Sequence, residues 1–168
     1  MRILMVGGGR RGLGLAGEFV ADGHAVRRVT RHEELRAEIE AAGCECWIGD
    51  PDRIGTLRYA LENVTIVMWL LGTATGPDPE LIAALHSTRL RMMLEKITDS
   101  TVRGVVYENA GTVGEDVLAA GVAEMVHANL TNEIPYALLE ADPADDTTWR
   151  AAAQLAVASM LGERRVSV

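Results

Sequence analysis

Apolar positions along the chain follow two rhythms that alternate from one end to the other. Residues 2–6 form a compact apolar run, which predicts a first strand. Residues 11–22 place Leu13, Ala16, Phe19 and Val20 on one helical face, and Gly23 follows as a helix-closing glycine. A second strand is predicted over 24–30, an amphipathic helix closed by Gly43 over 32–42, and a third strand over 45–48. Asp50-Pro51-Asp52 has the chemistry of a turn leading into a helix, here a short one over 53–61. Residues 64–71 are continuously apolar, as in a central parallel strand covered on both faces. Asp78-Pro79-Glu80 offers a cap, a first-turn proline and a first-turn acid to one long helix running to about residue 98. A fifth strand is predicted over 104–107, a helix over 114–129 and a sixth strand over 134–139. A last helix is predicted over 149–161, with Asp145 and Thr147 as candidate caps.

Strands and helices in alternation, joined by short connections, imply an α/β fold with a doubly wound parallel sheet. About six strands in this rhythm fit the order 3-2-1-4-5-6. The whole chain, residues 1–168, reads as a single domain around one core. Almost nothing is left over for a separate substrate domain.

Charge narrows the partners. The net charge of −8 and a pI near 5.0 argue against nucleic acid, whose phosphates need a basic face. They give no reason to expect an anionic membrane surface either. Residues 3–6 are too short an apolar run for a secretory leader or a membrane span, so the chain reads as cytoplasmic. Cys44 and Cys46 stand alone, with no second ligand pair at metal spacing, so no metal site is expected. They read as two small apolar residues of a reduced protein.

The chemistry begins at Val6-Gly7-Gly8-Gly9-Arg10-Arg11-Gly12. Gly7, Gly9 and Gly12 make a GxGxxG pattern between the first strand and first helix of a βαβ unit, the context that makes the pattern specific for a dinucleotide. Gly7 permits a tight turn, Gly9 a close approach of backbone to pyrophosphate, and Gly12 close packing of helix on strand. The helix N-terminus then presents free N–H groups and its positive dipole end to phosphate. This is the signature of a Rossmann-type, NAD(P)-binding domain.

NAD and NADP are separated near the end of the second strand. An acid there bonds the ribose 2′-hydroxyl and repels a 2′-phosphate. Here the strand ends Arg27-Arg28-Val29-Thr30-Arg31, with Arg31 about where the acid would stand and Thr30 adding a hydroxyl. Arg10 and Arg11, in the turn itself, could reach the same phosphate with bidentate geometry. NADP is therefore the favoured cofactor, while Glu33 and Glu34 keep NAD open. Asp50 stands just past the third strand, as a contact for the adenine end or as a turn cap. Leu71, Gly72 and Thr73 follow the fourth strand at the switch point where ligands bind.

Several of these segments together resemble the atypical short-chain dehydrogenases. They are the opening 2–9, the Thr30-Arg31 ending, Gly49-Asp50, and Leu70-Leu71-Gly72-Thr73. The resemblance is to the NmrA-like and flavin-reductase-like branch, with its epimerase-type and NAD(P)H-binding relatives, and covers residues 1–112. It implies NADP contacts from the glycine turn, Arg31, Asp50 and Gly72-Thr73. Two features depart from that family. Its glycines are spaced GxxGxxG, which here would need a glycine at Val6. Its Tyr-x-x-x-Lys dyad is absent: Lys96 is the only lysine, and Tyr59, Tyr107 and Tyr136 have no lysine four residues on.

Without the dyad, carbonyl reduction has no evident proton donor. Hydride transfer to a flavin or quinone takes its proton from solvent and asks the protein mainly for orientation. Candidates for such chemistry are Tyr107, Glu108, Asn109 and Thr112, at and beyond the fifth strand. Glu108 reads first as a carboxylate closing a strand end at the surface. His86, with Arg89 and Arg91, reads as a solvated helix face or a subunit contact, and His127 as a surface histidine. Three readings follow: an NADP-dependent oxidoreductase, a dinucleotide-binding or redox-sensing module without turnover, and an epimerase- or dehydratase-like enzyme. The apolar last helix offers a face for a homodimer.

Overall fold

Strand β4, Ile66–Leu70, is buried at every position. That is the expected fate of a continuously apolar segment in the middle of a parallel sheet with helices on both faces. A computed structural model describes residues 1–162. The strands are β1 (Arg2–Gly7), β2 (Ala25–Thr30), β3 (Glu45–Ile48), β4, β5 (Gly104–Glu108) and β6 (Tyr136–Leu139). They form one six-stranded sheet in the order β3-β2-β1-β4-β5-β6, and every pairing is parallel. This is the Rossmann-type arrangement, with β1 and β4 adjacent where the order reverses.

Side chains alternate between two cores. Ile3, Met5, Met68 and Val106 pack with Leu15 and Phe19 of helix α1 (Gly9–Ala21), Ile39 of α2 (Arg36–Ala41), and Trp149 and Val157 of α6 (Asp146–Gly162). Leu4, Val67, Trp69 and Tyr107 pack on the opposite face. There they meet Leu85 of α3 (Pro79–Leu85), Leu90 and Met93 of α4 (Thr88–Thr98), and Met125 of α5 (Glu115–Asn132). The single-domain reading ran to residue 168, and its part beyond Gly162 lies outside the described residues.

Three helices differ from the expectation, each for a local reason. Residues 53–61 form two short 3-10 turns, Ile54–Leu57 and Tyr59–Leu61. The Thr56 hydroxyl bonds the Arg53 and Asp50 carbonyls at 2.7 and 3.2 Å and so competes with a helical ladder. The long helix expected over 78–98 is broken at His86 and Ser87. Ser87 leaves helical geometry at φ −127°, ψ −94°, and the Leu85 carbonyl accepts from the Trp69 indole at 3.0 Å. The helix over 32–42 opens as a 3-10 turn, Glu33–Leu35, before α2 begins. Two of the expected caps form. Asp78 accepts from Glu80 N at 2.9 Å, and Asp145 from Thr148 N at 3.2 Å, whereas Thr147 lies inside α6. No helix among the described residues is long and apolar enough to cross a membrane.

Candidate functional site

A cleft of about 640 Å³ lies over the carboxyl ends of β1, β2 and β4, at the point where the strand order reverses. Its floor is the turn Gly7-Gly8-Gly9, and its walls come from residues 28–32, 49–52 and the segment 73–78 after β4. Open parallel sheets bind ligands at this place because two loops diverge from it in opposite directions.

The turn owes its shape to glycine. Gly7, Gly8 and Gly9 all have positive φ, at 83°, 91° and 54°. A Cβ at Gly7 would overlap the Leu70 carbonyl oxygen, so this glycine lets β1 and β4 close up; Gly8 N then donates to that same oxygen at 2.8 Å. A Cβ at Gly9 would meet nothing within 4 Å. The space above Gly9 is open, and it faces the cleft at the start of α1. Helix α1 has no side-chain cap and no acid in its first turn. Its N-terminal N–H groups therefore stand ready for an anion.

The arginines divide into two sets. Arg10 and Arg31 are exposed on the cleft wall and make no hydrogen bond to a protein group among the described residues. Arg28 also lines the cleft but is only 7 % exposed. Its Nη2 donates to the Gly9 carbonyl at 3.3 Å, while its buried Nε and Nη1 have no partner. Burial lowers its pKa. Gly12 makes room for this guanidinium, since a Cβ there would come within 2.7 Å of Nη1. Arg11 differs from the expectation. Its guanidinium turns away from the cleft, donating to Glu108 Oε1 at 2.7 Å and Thr73 Oγ1 at 3.1 Å, and it stacks 4.8 Å above the Trp149 ring. The buried carboxylate outcompetes solvent for this cation.

The other residues singled out from the sequence fall in two places. Thr30, Arg31, Asp50, Leu71 and Thr73 line the cleft. The Thr30 hydroxyl accepts from His32 N at 3.1 Å, and Asp50 Oδ1 accepts from Asp52 N at 2.9 Å, which makes Asp50 a turn cap on the cleft wall. Glu33 and Glu34, the acids that kept NAD open, point elsewhere. Glu33 pairs with Arg36 at 2.6 Å, Glu34 with His32 at 3.4 Å, and neither lines the cleft.

Beyond β4 the crevice is filled. Glu108 is fully buried rather than closing a strand end at the surface. Its carboxylate accepts from Arg11, from Trp149 Nε1 at 2.9 Å and from Gly72 N at 2.8 Å. The Gly72 carbonyl accepts from Thr112 N at 2.8 Å and Val113 N at 3.2 Å. Gly72 and Gly111 touch so closely that a Cβ on either would overlap the facing backbone. Asn109 Nδ2 donates to Glu140 Oε1 at 3.3 Å, and Thr112 is exposed. Gly72, Glu108, Asn109 and Thr112 are not part of the cleft wall.

Tyr107 is equally committed. It is fully buried, its hydroxyl lies 2.6 Å from His86 Nδ1, and His86 Nε2 lies 3.0 Å from the Leu71 carbonyl. A carbonyl only accepts, so Nε2 carries the proton and Nδ1 accepts from the tyrosine. Burial lowers the His86 pKa, which keeps the ring neutral as this pattern requires. Burial first, then the neighbouring Glu108 charge, raises the Tyr107 pKa. The surface reading of His86 is thus corrected: the break between α3 and α4 turns its ring inward, under the loop that carries Leu71. Arg28, His86 and Trp149 were not seen as site residues in the sequence. Arg28 alone left a signal there, as a cation at an inward position of an apolar strand.

Solved structures similar to this chain include several NAD-bound proteins. UDP-glucuronic acid 4-epimerase from Bacillus cereus in complex with NAD superposes with a TM-score of 0.67 at 13 % identity, covering 83 % of this chain and 55 % of that one. A short-chain dehydrogenase/reductase superfamily protein from Agrobacterium tumefaciens with bound NAD gives 0.68 at 14 %, covering 100 % and 64 %. The Bordetella bronchiseptica enzyme WbmG in complex with NAD gives 0.65 at 19 %, covering 83 % and 52 %. The chain spans about half the length of most of these structures. No family model and no curated protein matches the sequence. What these proteins share with the chain is the Rossmann-type fold.

Proposed function

We propose that this protein binds a nicotinamide dinucleotide, NADP in preference to NAD, at the Gly7–Gly12 turn, and that it works as a binding module without turnover. The observation that carries the reading is the Arg28 guanidinium, with buried Nε and Nη1 unpartnered, beneath an open, uncapped helix N-terminus. A buried cation with free N–H groups costs folding energy unless something anionic meets it. The pyrophosphate fits the space over Gly9, where the protein places no atom within 4 Å of a Cβ. Arg10, Arg28 and Arg31 offer guanidinium forks to a 2′-phosphate. Asp50 and Thr73 flank the ligand from the cleft walls. The NAD-bound structures with the same fold support a ligand of this class.

Bound NADPH would supply a hydride, and a carbonyl acceptor would also need a proton donor, but the two titratable candidates at the end of β5 are committed elsewhere. Tyr107 is tied to His86, Glu108 to Arg11, Trp149 and Gly72, and neither faces the cleft. The test is fluorescence titration with NADPH and NADH, followed by absorbance at the nicotinamide band with flavins and quinones added. NADPH binding tighter than NADH, with no loss of absorbance, is the expected result. Loss of absorbance would return the oxidoreductase reading. Gly9→Val checks the location: its side chain fills the phosphate approach and abolishes binding, while the αL backbone strain costs only about 1–2 kcal/mol of stability.

A further inference from the structure

We propose that the cleft recognises only the phosphorylated adenosine half of its ligand and leaves the nicotinamide ring outside, so that occupancy is blind to the ring's redox state. The proposal rests on the dinucleotide reading above and narrows it to a chemical class, an adenosine carrying 2′- and 5′-phosphate groups.

A dinucleotide site needs both halves of the doubly wound sheet, one mononucleotide to each side of the switch point. In this protein the cleft wall is drawn from β1, β2, the turn after β3, and the segment from β4 into α3. No residue of β5, α5, β6 or α6 belongs to it. The half over β5 and β6 is occupied by the protein's own groups. Arg11 reaches across from α1 to Glu108 at the end of β5, and the Trp149 indole of α6 closes on the same carboxylate. Above them the Gly72 carbonyl is held by the Thr112 and Val113 amides, which fastens the β4 loop to the β5 loop.

Opening that half for a ring would strip a fully buried carboxylate of its cation and of two N–H donors. Such a rearrangement is strongly unfavourable, because it leaves buried charge unpaired. The contrast with the other half is chemical as well as steric. Over β5 the half-buried Arg11 is matched by a carboxylate; over β2 the buried Arg28 has Nε and Nη1 unmatched and lines an open cleft. One half of the crevice is complete by itself; in the other, carboxylates such as Glu38 line the wall, yet two nitrogens of Arg28 are left without a hydrogen-bond partner.

The experiment is calorimetric titration of the full chain with NADPH, NADP⁺, adenosine 2′,5′-bisphosphate and nicotinamide mononucleotide. The first three are expected to bind within about tenfold of one another, since they share the recognised half, and the last not to bind. Dinucleotides binding more than about tenfold tighter than the bisphosphate would show that the ring is held, overturning this proposal while leaving the dinucleotide reading intact. A difference of that size between NADPH and NADP⁺ would overturn it in the same way. Failure of all four to bind would overturn both. A second measurement keeps the two sources of affinity apart. Thr112→Trp, on the exposed loop beyond β5, is expected to leave NADPH affinity unchanged; weakening of NADPH but not of the bisphosphate would place the ring there after all.

Discussion

Glu108→Gln changes one oxygen for an NH2 group at the centre of the filled half. Glu108 is fully buried and accepts from three donors: Arg11 at 2.7 Å, Trp149 at 2.9 Å and Gly72 N at 2.8 Å. Arg11 and Trp149 share Oε1, and Gly72 uses Oε2. A glutamine oxygen in the Oε1 position keeps two bonds, but its NH2 group then faces the Gly72 N–H, donor against donor. An unsatisfied buried N–H costs about 1–3 kcal/mol. Breaking a buried ion pair by removing one partner costs about 3–5 kcal/mol. The Arg11 side chain is 13 % exposed, so some solvation returns to it, and the two costs overlap in one site. A total of about 3–5 kcal/mol follows, or roughly 6–20 °C in Tm for a chain of this size. Thermal unfolding followed by circular dichroism measures the shift. The double variant Arg11→Met with Glu108→Met removes both charges and is expected to melt closer to wild type than Glu108→Gln does, because no buried charge is left alone. A Tm loss under about 2 °C for Glu108→Gln would refute the reasoning, since so small a shift means that Glu108 is not a buried, matched carboxylate.

Three further outcomes are expected. Arg31→Ala removes an exposed cleft cation and weakens NADPH by roughly 10–100-fold, about 1.5–3 kcal/mol for a charged hydrogen bond, with little change for NADH in the same titration. Arg28→Met deletes a buried cation whose Nε and Nη1 lack partners, so the ligand-free protein is expected to melt no lower than wild type while NADPH affinity falls, a split that calorimetry and thermal unfolding read separately. His86 is buried neutral with a lowered pKa, so the unfolded chain takes up more protons below about pH 6.5. Stability is therefore complete above that pH and falls as pH drops through it; His86→Phe, which cannot protonate, is expected to flatten this part of a denaturation-midpoint profile.

The sheet was legible in the sequence because parallel strands buried on both faces leave uninterrupted apolar runs. Residues 64–71 announced β4 in this way; β3, at the sheet edge with Glu45 and Ile48 exposed, was legible from the alternation with helices, and the order of strands came from the fold class that the alternation implies. The glycine turn was legible for a similar reason: three positive-φ positions at one strand end admit few other residues. The break at His86 was not legible. The segment 79–98 keeps its helical spacing throughout, and only the tertiary pull of Tyr107, Leu71 and Trp69 on residues 85–87 interrupts it. The partners of Arg11 were hidden for the same kind of reason. Next to Gly9 an arginine reads as a phosphate ligand, and nothing local shows that Glu108, 97 residues away, waits beneath it. Arg28 lay between these cases. Its place in an apolar strand was visible, but its lack of partners is a property of the assembled core.

The most direct test of where the ligand sits is the backbone-amide NMR map of the full chain during NADPH titration. The expected map has its largest shifts at Gly8, Gly9, Arg31, Asp50 and Thr73, which line the cleft, with Asn109, Thr112 and Glu140 unmoved. Shifts centred on Asn109, Thr112 and Glu140, or no shifts at any ligand concentration, would contradict a nucleotide site at the glycine turn.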